Sequence, residues 1–244
     1  MKLATFKAED IRDPRYGFKR GEHVVDILYL SKFLQEKNDD TRFLNLPISL
    51  KEALKNWDQN LKKFKMLDNE LSYENLSAIT KDGSKVSQLV SDIKFLAPIP
   101  NPSSFRDFYA FEQHVRSARK LRGLDMHPDW FKIPIFYFSN ATAIYGHGAP
   151  IPYPKMTQEL DFELEFAIII ANGGSDINHK DADKNIAGYT ICNDWSARDL
   201  QREEMAMSLG PAKGKDFATS FGPFLVTPDE LQNKWDENGK LHLR

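Results

Sequence analysis

The stretch Leu160-Asp161-Phe162-Glu163-Leu164-Glu165-Phe166 alternates apolar and acidic residues with a period of two. That is the period of a β-strand. As a strand the stretch buries Leu160, Phe162, Leu164 and Phe166 on one face and turns Asp161, Glu163 and Glu165 to the other. Same-face neighbours lie about 7 Å apart along a strand, so two such carboxylates can reach one cation. A solvated strand face is the commoner explanation of such alternation. Against it, the acidic face carries no Lys or Arg to offset three like charges. On this segment alone the two readings stand level.

Two further segments bear on the choice. Asp194 follows the apolar run Tyr189-Thr190-Ile191-Cys192 and precedes a helical pattern over residues 196–206. An acid at a strand end can be a ligand at the mouth of a sheet, or Asp194 or Ser196 can simply cap the helix. Arg198 is either a surface residue or a clamp on a substrate carboxylate. Asp107 and His114 stand seven residues apart. If residues 105–121 are helical throughout, with Ser103 or Ser104 as the cap, the two share one face. A carboxylate near a metal and a histidine near a substrate make a ligand and a general base. A histidine on a helix is also commonly just solvated or packed.

Bulk properties narrow the class. The 244 residues suit one large domain or a domain with a small appendage, and 41% apolar with 28% charged residues is ordinary for a globular chain with a sizeable core. With a net charge of −2 and no dense Lys/Arg run, nucleic acid is not an expected partner. The longest apolar run, Phe166 to Ala171, is far short of a membrane span, and the N-terminus has no apolar signal region. The single cysteine, Cys192, excludes an intramolecular disulfide and argues against a thiolate zinc site. A reducing, cytoplasmic location is expected. No Walker A or GxGxxG loop occurs, so a nucleotide-binding reading has no support.

The pattern predicts strands at Leu3–Phe6 and Val24–Leu28, then helices at Ser31–Lys37 and Ser49–Leu67, where Leu50, Leu54, Trp57 and Leu61 recur at helical spacing. Pro98, Pro100 and Pro102 mark the best linker. The expected organisation is therefore a small N-terminal α+β domain over 1–96, a Pro-rich linker over 97–104 and a β-rich domain over 105–244. Strands are expected there at Phe136–Phe138, Ala143–Tyr145, Leu160–Ala171, Ala187–Cys192 and Pro223–Val226.

Taken together, Asp107-Phe108-Tyr109 with His114, Leu160 to Glu165, Asn193-Asp194-Trp195-Ser196-Ala197-Arg198-Asp199-Leu200-Gln201 and Leu209-Gly210-Pro211-Ala212-Lys213-Gly214-Lys215 resemble the fumarylacetoacetate hydrolase family in order and spacing. The similarity runs from the linker to about residue 230. The resemblance implies an α+β protein with a mixed, mainly-β roll, usually a homodimer. It implies a divalent cation, Mg²⁺ or Ca²⁺ with Mn²⁺ as a further candidate, bound by Asp107, Glu163, Glu165 and Asp194. His114 would activate water, and Tyr109, Tyr137, Arg198, Gln201 and Lys215 would bind or polarise substrate. Lys215 and Gln201 would stabilise the oxyanion and protonate the leaving carbanion, held as an enolate at the metal. Arg122 matches a further substrate-binding arginine only with its spacing from His114 off by one.

The implied activity is hydrolysis of a carbon–carbon bond in a small 2,4-dioxo acid such as fumarylacetoacetate, an acylpyruvate or fumarylpyruvate, in aromatic-compound degradation. Two other readings stay open: a lyase or isomerase on the same scaffold, such as an oxaloacetate decarboxylase or sugar-acid dehydratase, and a catalytically silent metal-binding protein. The chain ends at Arg244, soon after a hairpin signal at Asn238-Gly239-Lys240. The roll is therefore expected to lack its usual C-terminal strands, which carry a Gly-Thr substrate motif and a glutamate that orients the histidine.

Overall fold

The computed structural model describes residues 1–9, 11–208 and 210–242. The chain opens with β1 (Lys2–Ala8), β2 (Arg15–Arg20) and β3 (His23–Asp26), then α1 (Ile27–Asn38), α2 (Leu50–Ala53) and α3 (Trp57–Glu70). β4 (Ser87–Leu89) and β5 (Ile93–Phe95) complete this part. After the proline-rich stretch come β6 (Phe105–Phe108), α4 (Glu112–Leu121), β7 (Phe136–Ser139), β8 (Ile144–Tyr145), β9 (Leu160–Asp161) and β10 (Leu164–Ile170). Then follow β11 (Ile186–Asp194), β12 (Ser196–Ala197), α5 (Arg198–Ala206), β13 (Thr219–Phe221) and β14 (Leu225–Val226).

One sheet runs in the order β4-β3-β2-β1-β14-β11-β13-β8, with β10 added on β11 and β5 on β1. β6 with β7, and β9 with β12, form separate two-stranded sheets. The mixed, mainly-β architecture is the one expected. The large sheet is continuous across the proline-rich stretch, because β1 pairs with β14 at Lys2–Val226 and Leu3–Leu225. The main core follows the same path: Leu3, Phe18, Val25, Leu30, Phe64 and Leu67 pack in one cluster with Ala187 and Leu225. No helix among the described residues is long and apolar enough to cross a membrane.

Four sequence expectations are corrected. The strand expected at Val24–Leu28 ends at Asp26, whose carboxylate caps α1 by accepting the N–H groups of Leu28 and Tyr29, each at 2.9 Å. The helix expected over Ser49–Leu67 breaks at Asn56, which holds non-helical angles (φ −135°, ψ 58°). The Asn60 amide donates to the Ala53 carbonyl at 2.9 Å and satisfies an acceptor at the break. Residues 105–121 are not one helix. Phe105–Phe108 is a strand paired with β7 in the register Asp107–Tyr137, and only Glu112 onward is helical. Asp107 and His114 therefore share no helical face.

The strand expected over Leu160–Ala171 divides at Phe162-Glu163, and from Phe162 to Glu165 its burial is the reverse of the expected one. Phe162 is 64% and Leu164 76% exposed, whereas Glu163 and Glu165 are half-buried. The phase comes from the far end of β10, where Ile169 packs against the main core and Ala171 is buried in it. Alternation then places Ala167, Glu165 and Glu163 on the inner side.

The buried Asp26 also takes a fork of hydrogen bonds from Arg15, at 2.6 and 2.7 Å. Asp26→Ala removes a helix cap and strands a half-buried guanidinium. It should lower stability by about 3–5 kcal/mol, read as a fall in the urea midpoint. Asp26→Asn, which keeps the cap, should lose less; equal losses would assign the whole effect to the ion pair.

Candidate active site

β10 and β11 run antiparallel, with Leu164 opposite Asn193 and Glu165 opposite Cys192. Just before β10, the Glu163 N–H donates to the Asn193 side-chain oxygen and the Glu163 carbonyl accepts the Asp194 N–H, both at 3.1 Å. These bonds set Glu163, Glu165 and Asp194 on one side of the sheet. β13 pairs with the other edge of β11 at Asp194–Thr219, and the Thr219 hydroxyl donates to Asp194 at 3.3 Å. β6 contributes Asp107. One carboxylate oxygen from each of Asp107, Glu163, Glu165 and Asp194 lies within 4.8 Å of the others.

Positive charge enters from later in the chain. The Lys215 ammonium is 2.6 Å from Glu163 and 3.0 Å from Asp194; Lys215 is 5% exposed and Asp194 fully buried. Arg198, at the start of α5, donates to Glu163 at 2.5 Å, to Asp161 at 2.9 Å and to Gln201 at 3.1 Å. The acidic strand thus carries no cation of its own and receives two from elsewhere. Tyr137, opposite Asp107, holds its hydroxyl 2.6 Å from Asp107 and 2.9 Å from Asp194, donating to either.

The protonation tendencies follow these contacts. Burial pushes Glu163 up, but the Lys215 charge and hydrogen bonds from Lys215 and Arg198 outweigh it and leave the carboxyl below its usual range. Asp107 and Glu165 form no ion pair among the described residues. Burial raises Asp107, and the Asp194 charge adds to it against the hydrogen bond from Tyr137. Burial and the charges of Asp107, Asp194 and Glu163 push Glu165 up to about 8. Burial, Asp194 and Asp107 also raise Tyr137, which therefore remains a donor. Two of the four acids thus have no ion-pair partner among the described residues. An all-oxygen set of this span suits a hard cation, whose opposite ligands lie about 4 Å apart around Mg²⁺ and about 5 Å apart around Ca²⁺. The residues present fit a divalent ion.

A second group lies beside this cage. Tyr109 continues the β6–β7 ladder, its N–H donating to the Ile135 carbonyl at 3.0 Å, so it points to the same side as Asp107 two residues earlier. Its ring meets the exposed His114 edge-on at 5.9 Å between centroids, and the Arg122 guanidinium lies 3.4 Å from its hydroxyl. His114 hydrogen-bonds none of the four carboxylates among the described residues. The structure therefore brings Asp107, Tyr137, Glu163, Glu165, Asp194, Arg198, Gln201 and Lys215 into one network and, among the described residues, leaves Tyr109 and His114 outside its hydrogen bonds, His114 packed against the Tyr109 ring. Leu209, at the head of the last motif, lies outside the described residues. Sequence reasoning missed Thr219, which carries no local signal. It also missed the role of Asn193, which lies within a motif, and placed Asp161 on the acidic face without foreseeing that it anchors Arg198.

A family model described as the fumarylacetoacetate hydrolase C-terminal domain matches residues 103–244. The chain belongs to this family. Its relatives include fumarylacetoacetase of Oryza sativa subsp. japonica, 36% identical over 163 residues, which cover 59% of this chain and 38% of the rice protein. A mitochondrial oxaloacetate tautomerase of Xenopus laevis is 27% identical over 242 residues, 96% of this chain and 64% of that protein. The chain thus spans less than two thirds of these curated relatives. Among solved structures, the maleylpyruvate hydrolase of Sphingobium sp. SYK-6 in complex with manganese(II) ion and pyruvate superposes with a TM-score of 0.58 at 16% identity. That match covers 96% of this chain and 70% of that one, and it supports the fold.

A proton held by Glu165 up to about pH 8 must leave when a cation takes its place. Affinity for Mn²⁺, measured by calorimetry, should rise about tenfold per pH unit below 8 and level off above it. Glu165→Gln should flatten that dependence as well as weaken binding. The sign for stability is opposite. With a chelator present, the raised folded-state value means stability falls as pH rises from the unfolded carboxyl's range toward 8. A chelated protein that gains stability over that interval would contradict the assignment.

Proposed function

We propose that this chain provides the catalytic centre of a cation-dependent hydrolase that cleaves a carbon–carbon bond in a small 2,4-dioxo acid. The four-carboxylate cage with Lys215 buried in it carries this reading. Fumarylacetoacetate, acylpyruvates and fumarylpyruvate are the substrate class. Mg²⁺, Ca²⁺ or Mn²⁺ would be held by Asp107, Glu163, Glu165 and Asp194. When bound, the cation supplies Lewis-acid polarisation of the adjacent carbonyl oxygens. His114 takes a proton from water, whose oxygen bonds to the carbonyl carbon while the carbon–carbon bond breaks; the departing carbon then takes a proton. Lys215 and Gln201 would stabilise the negative charge that develops on the leaving group. Arg198, fixed by Asp161 and Glu163, would offer its remaining N–H groups to a substrate carboxylate, and Tyr109 and Tyr137 would serve as further substrate-binding groups.

One observation favours a second reading. No carboxylate orients His114 among the described residues, whereas Lys215 is already fixed inside the cage. Proton transfer between the keto and enol forms of a 2-oxo acid needs a placed acid–base group and no activated water. The relative named oxaloacetate tautomerase is in keeping with this.

Ultraviolet assays separate the two. Acylpyruvate cleavage in the presence of Mn²⁺ should fall about 10²–10⁴-fold in His114→Ala, with tautomerisation of oxaloacetate little changed. Cleavage that survives His114→Ala would sink the general-base role. Oxaloacetate turnover with no acylpyruvate cleavage would decide for the tautomerase.

A further inference from the structure

We propose that Glu204 is the positioning residue for Lys215, a role that rests on the active-site reading above. Glu204 lies in the last turns of α5, and its carboxylate is turned toward the backbone of the loop that leads to Lys215. One oxygen accepts the N–H groups of Ala212 and Gly214, at 2.9 and 3.0 Å, and the other accepts the N–H of Lys213. Burial pushes its carboxyl up, but these three backbone donors outweigh that and hold it below the usual range. A surface ion pair does not explain the arrangement, because the Lys213 ammonium goes instead to Asp216 at 2.6 Å.

The same loop is clamped from the other side. The Gly214 carbonyl accepts the Ala197 N–H at 2.8 Å, at the entrance to α5. A Cβ on Gly214 would stand 2.8–2.9 Å from the Cβ, Cα and N of Gln201, so only glycine lets the loop lie this close to the helix. The Lys215 N–H then closes a turn onto the Ala212 carbonyl at 2.9 Å. A lysine side chain has four rotatable bonds, and its tip stays between Glu163 and Asp194 only if its root is fixed. Glu204 fixes that root on the helix whose first turn sends Arg198 and Gln201 to the same cage. It acts through Lys215 and touches no reacting atom.

The test uses the full chain with Glu204→Ala and Glu204→Gln, each checked for fold by circular dichroism. Hydrogen exchange at residues 212–214 and the rate of Lys215 acylation by acetic anhydride, followed by mass spectrometry, require no turnover. Both substitutions should speed exchange, and Lys215 should label about tenfold faster, in line with the loss of order 1.4 kcal/mol of hydrogen bonding. With an acylpyruvate and Mn²⁺, kcat should fall about 10–100-fold with KM little changed. Glu204→Ala should add nothing to a Lys215→Ala background. Lys215 labelling at the wild-type rate in Glu204→Ala would overturn the inference, as would losses in kcat that multiply in the double variant. If Glu204→Ala does not fold, Glu204→Gln is read in its place by the same criteria. If the wild-type chain turns over no acylpyruvate, the hydrolase reading falls, and exchange and labelling alone decide the role of Glu204.

Discussion

Four carboxylates whose oxygens lie within 4.8 Å of one another repel too strongly to stay ionised in a half-buried site unless positive charge is brought among them. Much of the second half of the molecule can be read as an answer to that constraint. Lys215 offsets Glu163 and Asp194, and Arg198 offsets Glu163 a second time. Asp107 and Glu165 are left over, and they are the two cage acids whose carboxyls are raised. The imbalance is local and directional: one side of the cage is compensated by the protein, the other is suited to a cation. Desolvating a charge costs several kcal/mol per ion, so an arrangement that leaves two acids with no ion-pair partner among the described residues is costly unless a ligand completes it.

β11 is the spine that makes the arrangement possible. It pairs with β10, β13 and β14, and so connects the strand bearing Glu165, the edge bearing Thr219 and the sheet of the N-terminal part. Gly188 sits where β11 lies closest to Leu225, where a Cβ would stand 2.4 Å from that side chain. Leu225 belongs to the same core as Leu3 and Phe18. The placement of Asp194, fully buried at the end of β11, is therefore tied to packing about six residues back along the strand (~20 Å). A site built on a strand with both edges paired is held more rigidly than one on a loop.

What the sequence disclosed depended on how local the signal was. The acids of the 160–166 alternation, Asp194 beside its helix and the loop before Lys215 are each written in short contiguous segments, and the structure brings them together. Phase and partnership were less legible. The run Ile168-Ile169-Ile170 is apolar at every position and gives no hint which face is inner; Ile169 decides it by reaching a core assembled from residues far earlier in the chain. Phe105–Phe108 pairs with Phe136–Ser139 across some thirty residues, a non-local bond that outweighs the helical spacing of Asp107 and His114. Glu204 reads locally as one more acid on an exposed helix, since nothing in its spacing shows that a loop returns to meet it.

The reversed burial of β10 follows from the same competition. Covering Phe162 and Leu164 instead of the acids would gain about 1.5–3 kcal/mol for each side chain. A one-residue slip of register would achieve it, and would also turn Ile169 away from the main core and Glu163 and Glu165 away from Lys215 and Arg198. The buried Lys215 would then lose one of its two carboxylates and the half-buried Arg198 one of its own, and Ile169 would leave the core, so the apolar gain is opposed on all three counts. The strand keeps its acids inside because positive charge and core packing at distant positions agree on one register. The apolar face of Phe162, Leu164, Ile168 and Ile170 is exposed as a consequence of that agreement.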